Sequence, residues 1–249
     1  MLSTVWLIIV LAGVAAWTVN DTRQYRTFQL AHESSARRAF YWRWTVQSFV
    51  FLAGASALTL WLLGRFDALG TLPIEFTVLS SGLNAETRGA ELNADSRTGM
   101  AIGFSLGLLV LVLTLRQRVA KLSAPVLGDI EPLIPRNGAE MLAAVPLCLN
   151  AGFSEELFFR LALPLLMTTV TGSVAVGAGG SIVVFGLIHW YQGWKGVLAT
   201  AFVGGVLTVV YLKSGSIMRV MAMHACIDIV GLIIRPMIAK RVARVPVTA

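Results

Sequence analysis

Long runs of apolar residues, each close to the length of a membrane-spanning helix, are the dominant feature of this sequence. An α-helix needs about 20 mostly apolar residues to cross the hydrocarbon core of a bilayer, and about seven runs approach that length. The runs are Leu2–Val19, Trp44–Leu63, Gly99–Leu115, Ala139–Met167, Ser173–Tyr191, Gly196–Leu212 and Ile217–Ile234. We therefore predict an all-α fold, a polytopic transmembrane helix bundle of about seven spans.

The composition also favours an integral membrane protein whose partner is the lipid bilayer. Hydrophobic residues make up 56% of the chain and charged residues only 13%, whereas soluble domains carry about 25% charged residues. The net charge of +7 would suit nucleic-acid binding. However, the basic residues cluster in short segments beside the apolar runs, where they set topology, so we predict no nucleic-acid partner. Cys148 and Cys226 lie in apolar runs and indicate neither a disulfide framework nor a CxxC metal site.

The distribution of charge between the runs predicts the orientation of the bundle. Basic residues dominate Asn20–Arg43, Arg116–Arg136 and the segment from Arg235 onward, whereas acidic residues outnumber basic ones in Gly64–Thr98. By the positive-inside rule the three basic segments are cytoplasmic, with the N-terminus outside and the C-terminus inside. The first run lacks a basic segment before its apolar core, so we expect a retained anchor and not a signal peptide. Because no organelle-targeting segment is recognisable, we expect a bacterial cytoplasmic membrane.

Three charged residues, Glu155, Glu156 and Arg160, lie within six residues of the fourth apolar run. Each charge at hydrocarbon depth costs roughly 2.5–3.5 kcal/mol on insertion scales, so such a cluster must face a protected interior. Glu156 and Arg160 have the i,i+4 spacing of a helical ion pair. Glu155 points about 100° away and is not neutralised by this arginine along the helix. A structural ion pair that fixes helix packing is the alternative to a functional site.

Two histidines lie in the later apolar runs, His189 near the end of the fifth and His224 in the seventh. His224 and Asp228 again have the i,i+4 spacing that places both on one helix face. A lone intramembrane histidine is more often a hydrogen-bonded packing residue, but a membrane-buried aspartate requires a partner. Counted from the span ends, all these groups fall in the cytoplasmic half of the bundle. We expect them to meet in one water-containing cavity among the C-terminal four spans.

The order Glu-Glu-x-x-x-Arg, Phe-x-x-x-His and His-x-x-x-Asn/Asp, each on its own membrane helix, resembles the CPBP family. This family comprises CAAX prenyl proteases and bacteriocin-processing intramembrane proteases, and it includes the type II CAAX endopeptidases. The resemblance covers about Ala139–Ile234. It divides the chain into residues 1–138, with the first spans, an exocytoplasmic loop and a cytoplasmic linker, and a catalytic core at residues 139–249.

The resemblance implies an intramembrane endopeptidase that cleaves a lipidated or membrane-anchored protein or peptide, prenylated in the case of true CAAX processing. It implies that Glu155 acts with His189 to activate water. It also implies that His224 and Asp228 stabilise the oxyanion of the intermediate, which needs hydrogen-bond donors where negative charge develops. From spacing we infer that Arg160 holds Glu156 ionised and thereby orients its neighbour.

Asp228 departs from the commoner asparagine at the end of the third motif. Because a carboxylate donates no hydrogen bond, Asp228 is either neutral, or orients His224 as an acceptor, or helps to bind a metal. Two histidines and several carboxylates can ligate zinc. The HExxH arrangement is absent, so we favour no cofactor. Zinc is the alternative, with Glu155, His189, His224 and Asp228 as the candidate ligands.

Two other classes of function compete with a peptidase. One is a catalytically silent membrane scaffold of the same fold, and the other is a transporter or proton relay that uses the buried acids. No inverted-repeat pattern is visible in the spans, which disfavours a transporter. A scaffold has no need for costly buried acids, so the combination of Glu155, Glu156, His189 and His224 favours an enzyme.

Overall fold

The computed structural model describes residues 1–88 and 128–238, and these ranges contain helices and turns but no strand. The helices are α1 Leu2–Gln29, α2 Ser34–Leu63, α3 Thr77–Arg88, α4 Gly138–Thr171, α5 Val174–Ile188, α6 Gly193–Ser214 and α7 Ile217–Ile238. Short 3₁₀ turns cover Phe66–Leu69, Ile74–Phe76, Glu131–Leu133 and His189–Gln192. The described part of the chain therefore confirms the all-α prediction.

Five helical stretches are long and apolar enough to cross a membrane, which makes the chain a multi-pass membrane protein. They are α1, α2, α4, the continuous stretch of α5 and α6, and α7. The predicted count of about seven is not confirmed. One reason is that the predicted span Gly99–Leu115 lies outside the described residues. The other is that the predicted fifth and sixth spans both lie in one of the five stretches, Val174–Ser214, in which Gly193 with a φ of 76° separates α5 from α6. Gly186 packs against Ala201, so the two helices run antiparallel.

Polar side chains begin three of these helices at the positions that their sequence indicates. The side chain of Asn137 accepts a hydrogen bond from the Glu140 backbone N–H at 3.0 Å at the start of α4. Ser173 and Ser216 cap α5 and α7 in the same way. Such caps satisfy backbone donors that have no partner within the helix. α4 ends at Gly172, which adopts a left-handed φ of 70°.

The described connections lie at two opposite ends of the bundle. At one end the turn between α1 and α2 contacts the segment before α4, where Asn137 Nδ2 donates to Ser34 Oγ at 2.9 Å. The backbone N–H of Asp129 donates to the carbonyl of Gln192 at the same end. We call this the proximal end. At the opposite end, Ser80 of α3 donates to the carbonyl of Leu212. The assignment of the proximal end to the cytoplasm stays a prediction.

Helix α4 is the centre of the fold because it contributes to all three apolar clusters of the described residues. Leu157, Leu161 and Leu165 pack with α2, α6 and α7. On another face, Phe158, Phe159, Leu163 and Leu166 pack with α1, α2 and α5. Near the proximal end, Ala143 and Ala144 pack with aromatic residues of α1 and α2. Every residue from Glu156 to Leu166 is buried, which explains why this part of the helix can hold charged residues away from lipid.

A buried ion pair fastens α2 to the start of α4 at the proximal end. Arg37 is fully buried, and its Nε lies 3.0 Å from Oε2 of Glu140, which is only 1% exposed. Arg37 Nη2 also donates to the carbonyls of Pro132 and Ile134. One side chain thus holds the segment before α4 against both helices.

We expect Arg37→Met to destabilise the protein by roughly 3–5 kcal/mol, because it leaves the Glu140 carboxylate buried without its cationic partner. Thermal unfolding in detergent measures the loss. Arg219→Met removes an exposed arginine of α7 and serves as the matched control. The double variant Arg37→Met/Glu140→Leu should lose less than the sum of the two single variants. An unchanged unfolding temperature for Arg37→Met would contradict this role.

Candidate active site

A cavity of about 270 Å³ lies inside the bundle. Its wall contains Glu155 of α4, His189 from the turn after α5, and His224 and Asp228 of α7. The remaining wall is largely apolar, with a few further polar groups. A small set of convergent polar groups in an apolar cavity is the usual composition of a ligand or active site.

The cavity is not confined to the C-terminal spans, which corrects the prediction made from the sequence. Helix α1 contributes Trp17 and Asp21 to the wall, and α2 contributes Trp44, Ser48 and Leu52. These helices reach the cavity because α2 packs directly on α4. The contact between the two helices includes hydrogen bonds from Asn150 Nδ2 of α4 to the Thr45 carbonyl and to Ser48 Oγ of α2, at 3.1 and 2.7 Å.

The two adjacent glutamates of α4 have different surroundings. Glu155 faces the cavity, and its Oε2 is buried without a hydrogen-bond partner among the described residues. Glu156 is fully buried behind the cavity wall, together with Arg160. One carboxylate is therefore fixed by protein groups, while the other presents an oxygen that can bind a molecule in the cavity.

Glu156 is the centre of a buried charged network that joins α4 to α7. Arg160 Nη2 donates to Glu156 Oε1 at 3.2 Å, and Arg160 Nε lies 3.0 Å from Oε2. His224 Nδ1 donates to the same Oε1 at 2.7 Å. The Arg160 guanidinium also lies over the ring of Phe185, with its carbon 4.5 Å from the ring centroid. The ion pair expected from i,i+4 spacing is present, and it also orients a histidine from another helix.

The backbone of α4 widens into π-helical turns at Ala151–Glu155 and Leu157–Ala162, on both sides of Glu156. Such turns occur often at functional sites because they change the direction in which side chains point. Ser181 Oγ of α5 donates to the carbonyl of Phe159 at 2.6 Å and so satisfies one acceptor of the widened segment.

A close helix crossing keeps α4 and α7 at the distance that this network requires. Gly152 has no side chain, and a Cβ at this position would lie 2.6 Å from the carbonyl oxygen of Met221 and 2.8 Å from Ala225 Cβ. Small residues at membrane helix crossings allow backbones to approach closely. The approach at Gly152 brings His224 within hydrogen-bond distance of Glu156.

The hydrogen bonds of His189 define the roles of its two ring nitrogens. Nδ1 lies 2.8 Å from the carbonyl oxygen of Phe185. A carbonyl oxygen only accepts, so Nδ1 carries the hydrogen, and in the neutral ring Nε2 is the acceptor. The ring also lies against Phe185, with centroids 4.9 Å apart. The backbone of α5 therefore sets the tautomer of His189.

His224 and Asp228 lie close together on α7 without forming a hydrogen bond. His224 Nε2 is 3.7 Å from Asp228 Oδ2, and the Asp228 side chain is 30% exposed. The same ring donates through Nδ1 to Glu156 on its other side. His224 thus lies between two carboxylates, one fully buried and the other in the cavity wall.

Comparison with known families identifies the part of the chain that carries this arrangement. Residues 137–230 match the model of the family described as Type II CAAX prenyl endopeptidase Rce1-like. Residues 137–230 belong to the CPBP family of intramembrane proteases. The CPBP domain includes α4, α5, α6 and most of α7, and therefore every charged and histidine residue predicted for the site. A search of curated proteins and of solved structures finds no match.

The side chains of the CPBP domain do not form a group suited to a metal ion. Zinc sites in proteins usually combine three or four His, Cys, Asp or Glu ligands. Among residues 1–88 and 128–238, no three such residues are grouped in a way that could hold a metal. The donor set of the zinc alternative therefore does not fit the arrangement of these residues.

Two wall residues outside the CPBP domain, Asp21 and Trp44, were not predicted as part of the site. Asp21 lies near the end of an apolar run, where an acid is ordinarily a solvated surface residue. One signal was available, since Trp17, Asp21 and Tyr25 follow one another at i,i+4 spacing and share a helix face. An acid placed between two aromatic residues on one face of a membrane helix indicates a buried position.

We expect Gly152→Ala to destabilise the protein by roughly 1–3 kcal/mol, since the added methyl group forces α4 and α7 apart. Thermal unfolding in detergent measures the effect. Gly179→Ala in α5 is the matched control, because a Cβ there meets nothing within 4 Å. Alanine is the better helix former, so this control should unfold at an equal or higher temperature. Equal losses in both variants would show that the crossing is not tightly packed.

Proposed function

We propose that this protein is an intramembrane endopeptidase that hydrolyses a peptide bond of a lipidated or membrane-anchored protein or peptide. One observation carries the proposal: residues from three separate elements, Glu155, His189, His224 and Asp228, line a single cavity. The family of the CPBP domain is a protease family, which supports the same class of reaction.

In this proposal Glu155 is the general base, and His189 helps to position the attacking water. Glu155 Oε2 has no protein partner in the described part of the chain, so it can accept a proton from water bound in the cavity. The Nε2 of neutral His189 can accept the second hydrogen of the same water, because Nδ1 is held by the Phe185 carbonyl. Two acceptors then fix the water with its oxygen lone pair directed at the substrate.

The reaction balances with a single proton carried by Glu155. The water oxygen bonds to the carbonyl carbon of the scissile peptide, and the proton moves to Glu155. The tetrahedral intermediate then collapses, its carbon–nitrogen bond breaks, and the amine leaves with the proton that Glu155 returns. The products are a carboxylic acid and an amine, and Glu155 is again ionised.

His224 is proposed to stabilise the oxyanion of the tetrahedral intermediate. Its ring is held by the bond from Nδ1 to Glu156, which leaves Nε2 directed toward Asp228 and the cavity. When both ring nitrogens carry hydrogen, Nε2 donates to the oxyanion, and such a donor is worth most where water is excluded. Asp228, at 3.7 Å, orients this ring. Arg160 acts indirectly, by holding Glu156 in place.

The cavity supports a peptidase better than the alternative of a catalytically silent scaffold. A purely structural role accounts for Glu156 and Arg160, which neutralise one another. It does not account for Glu155, whose buried oxygen lacks a partner within the described ranges. Burying a carboxylate oxygen without a hydrogen bond costs free energy. A water molecule bound for the reaction would donate the missing hydrogen bond.

We expect Glu155→Gln to lower the cleavage rate by a factor of roughly 10²–10⁴, the usual contribution of a general base. The measurement uses the full-length protein in liposomes with a library of membrane-anchored peptides, and cleavage products are identified by mass spectrometry. Glu131→Gln removes an exposed acid and is the matched control. Unfolding temperatures of both variants establish that they are folded. Cleavage by Glu155→Gln at the wild-type rate would refute the assignment.

We expect cleavage to persist after treatment with EDTA or phenanthroline, because the cavity residues do not form a metal-binding group. The same liposome assay measures the rate before and after the chelator is removed. Complete loss of cleavage that is restored by zinc, and not by magnesium, would favour the zinc alternative.

An experiment in cells separates the peptidase from the scaffold. A strain that carries Glu155→Ala should accumulate an uncleaved membrane protein, which comparative proteomics of membrane fractions would detect. A scaffold would keep its phenotype and leave the membrane proteome unchanged, since this substitution removes no large apolar contact. The substrate that accumulates would also show whether it is prenylated.

A further inference from the structure

Asp21 of α1 is an acid in the cavity wall that neither the CPBP domain nor the proposed reaction uses. It lies on the same wall as Glu155 and the two histidines but precedes the matched residues 137–230 by more than a hundred positions. None of the ion pairs among residues 1–88 and 128–238 includes it. Its carboxylate is thus not neutralised by a described basic side chain.

Aromatic side chains surround this carboxylate. Trp17, Trp44 and Tyr191 line the same cavity, and the rings of Trp44 and Tyr191 are 5.7 Å apart. Trp44 is only 6% exposed, and its indole N–H lies next to the Asp21 carboxylate. A carboxylate has about four lone-pair sites, so one such donor leaves Asp21 able to accept from a further donor in the cavity.

A carboxylate among aromatic rings is suited to one class of ligand group. The faces of indole and phenol rings attract cations, and an ammonium or guanidinium group is bound most strongly where water is excluded. A carboxylate adds a charge-assisted hydrogen bond to the same group. Asp21, Trp17, Trp44 and Tyr191 together therefore select an organic cation.

The contacts between helices place this group nearer to the proximal end than Glu155. Asn150 of α4 is level with Thr45 and Ser48 of α2, to which it is hydrogen-bonded. Trp44 lies slightly nearer to the proximal end than these residues, and Glu155 lies further from it. At 1.5 Å per helical residue, Trp44 and Glu155 are separated by roughly 10 Å along the bundle.

We propose that Asp21, Trp17, Trp44 and Tyr191 bind a Lys or Arg side chain of the substrate. An extended peptide advances about 3.3 Å per residue, so a separation of roughly 10 Å from Glu155 places this side chain roughly three residues from the cleaved bond. The inference rests on the proposed peptidase function and adds a substrate preference to it. Because α1 and α2 provide three of the four residues, the N-terminal helices take part in selecting the substrate.

The test uses the full-length protein in liposomes with membrane-anchored peptides that differ at one position. A Lys, Met or Glu residue is placed at each of five positions on either side of the cleaved bond. We expect the wild-type protein to cleave the Lys peptide about tenfold faster than the Met peptide at one position, about three residues from the bond. Asp21→Asn should lower the ratio of Lys to Met cleavage at this position to about one.

Two further variants separate a binding role from a structural one. Asp21→Glu keeps the charge and should keep the preference for Lys. Asp67→Asn removes an acid that is 61% exposed near the opposite end, and it should change nothing in the peptide profile. A variant that merely distorts the cavity would slow all peptides equally, so the ratio of Lys to Met cleavage is the decisive measurement.

Each result bears on a specific statement. If the wild-type protein cleaves no peptide, the proposed peptidase function fails, and the substrate preference fails with it. If the Asp21→Asn variant keeps the Lys preference of the wild-type protein, only the cation site is refuted. Asp21→Asn could also change the cleavage rate only when the liposomes contain phosphatidylethanolamine, whatever residue the peptide carries. The lipid would then supply the cation, and the site would be refuted as a substrate site.

Discussion

The buried network of Glu156, Arg160 and His224 is the interaction on which the rest of the structure depends. An ionised glutamate inside a membrane bundle is costly unless its charge is compensated, and here one arginine and one histidine contact the Glu156 carboxylate. The arginine comes from the same helix, whereas the histidine comes from α7. The same contacts that neutralise the charge therefore fix the distance between the two helices and the orientation of the ring at the cavity.

Helix α4 can hold this network because it is surrounded by the other helices. Its apolar residues belong to each of the three packed clusters, so its charged residues face protein and not lipid. Two local features position the adjacent glutamates: the π-helical turns on either side of Glu156 and the close approach of α7 at Gly152. Together they place Glu156 in the buried network and Glu155 at the cavity.

Much of the candidate site could be predicted from short spacings in the sequence. The i,i+4 relations of Glu156 with Arg160 and of His224 with Asp228 hold in the structure, since a single helix fixes them. The bond between His224 and Glu156 could not be predicted, because 68 residues separate them and only packing of α7 on α4 makes them neighbours. The position of Asp21 in the cavity wall was not predicted for the same reason, because it depends on where α1 lies relative to α4.

The sequence by itself determined that the chain is helical and membrane-embedded, that its charges must be protected, and which charged and histidine motifs are candidates for a site. Those properties follow from hydrophobicity and from periodicity along one helix, so they need no knowledge of neighbours. Only the tertiary structure decided that α1 and α2 close the cavity. It also decided that His224 of α7 joins Glu156 in the buried network. These outcomes depend on which helix faces meet, and packing between distant segments alone sets that.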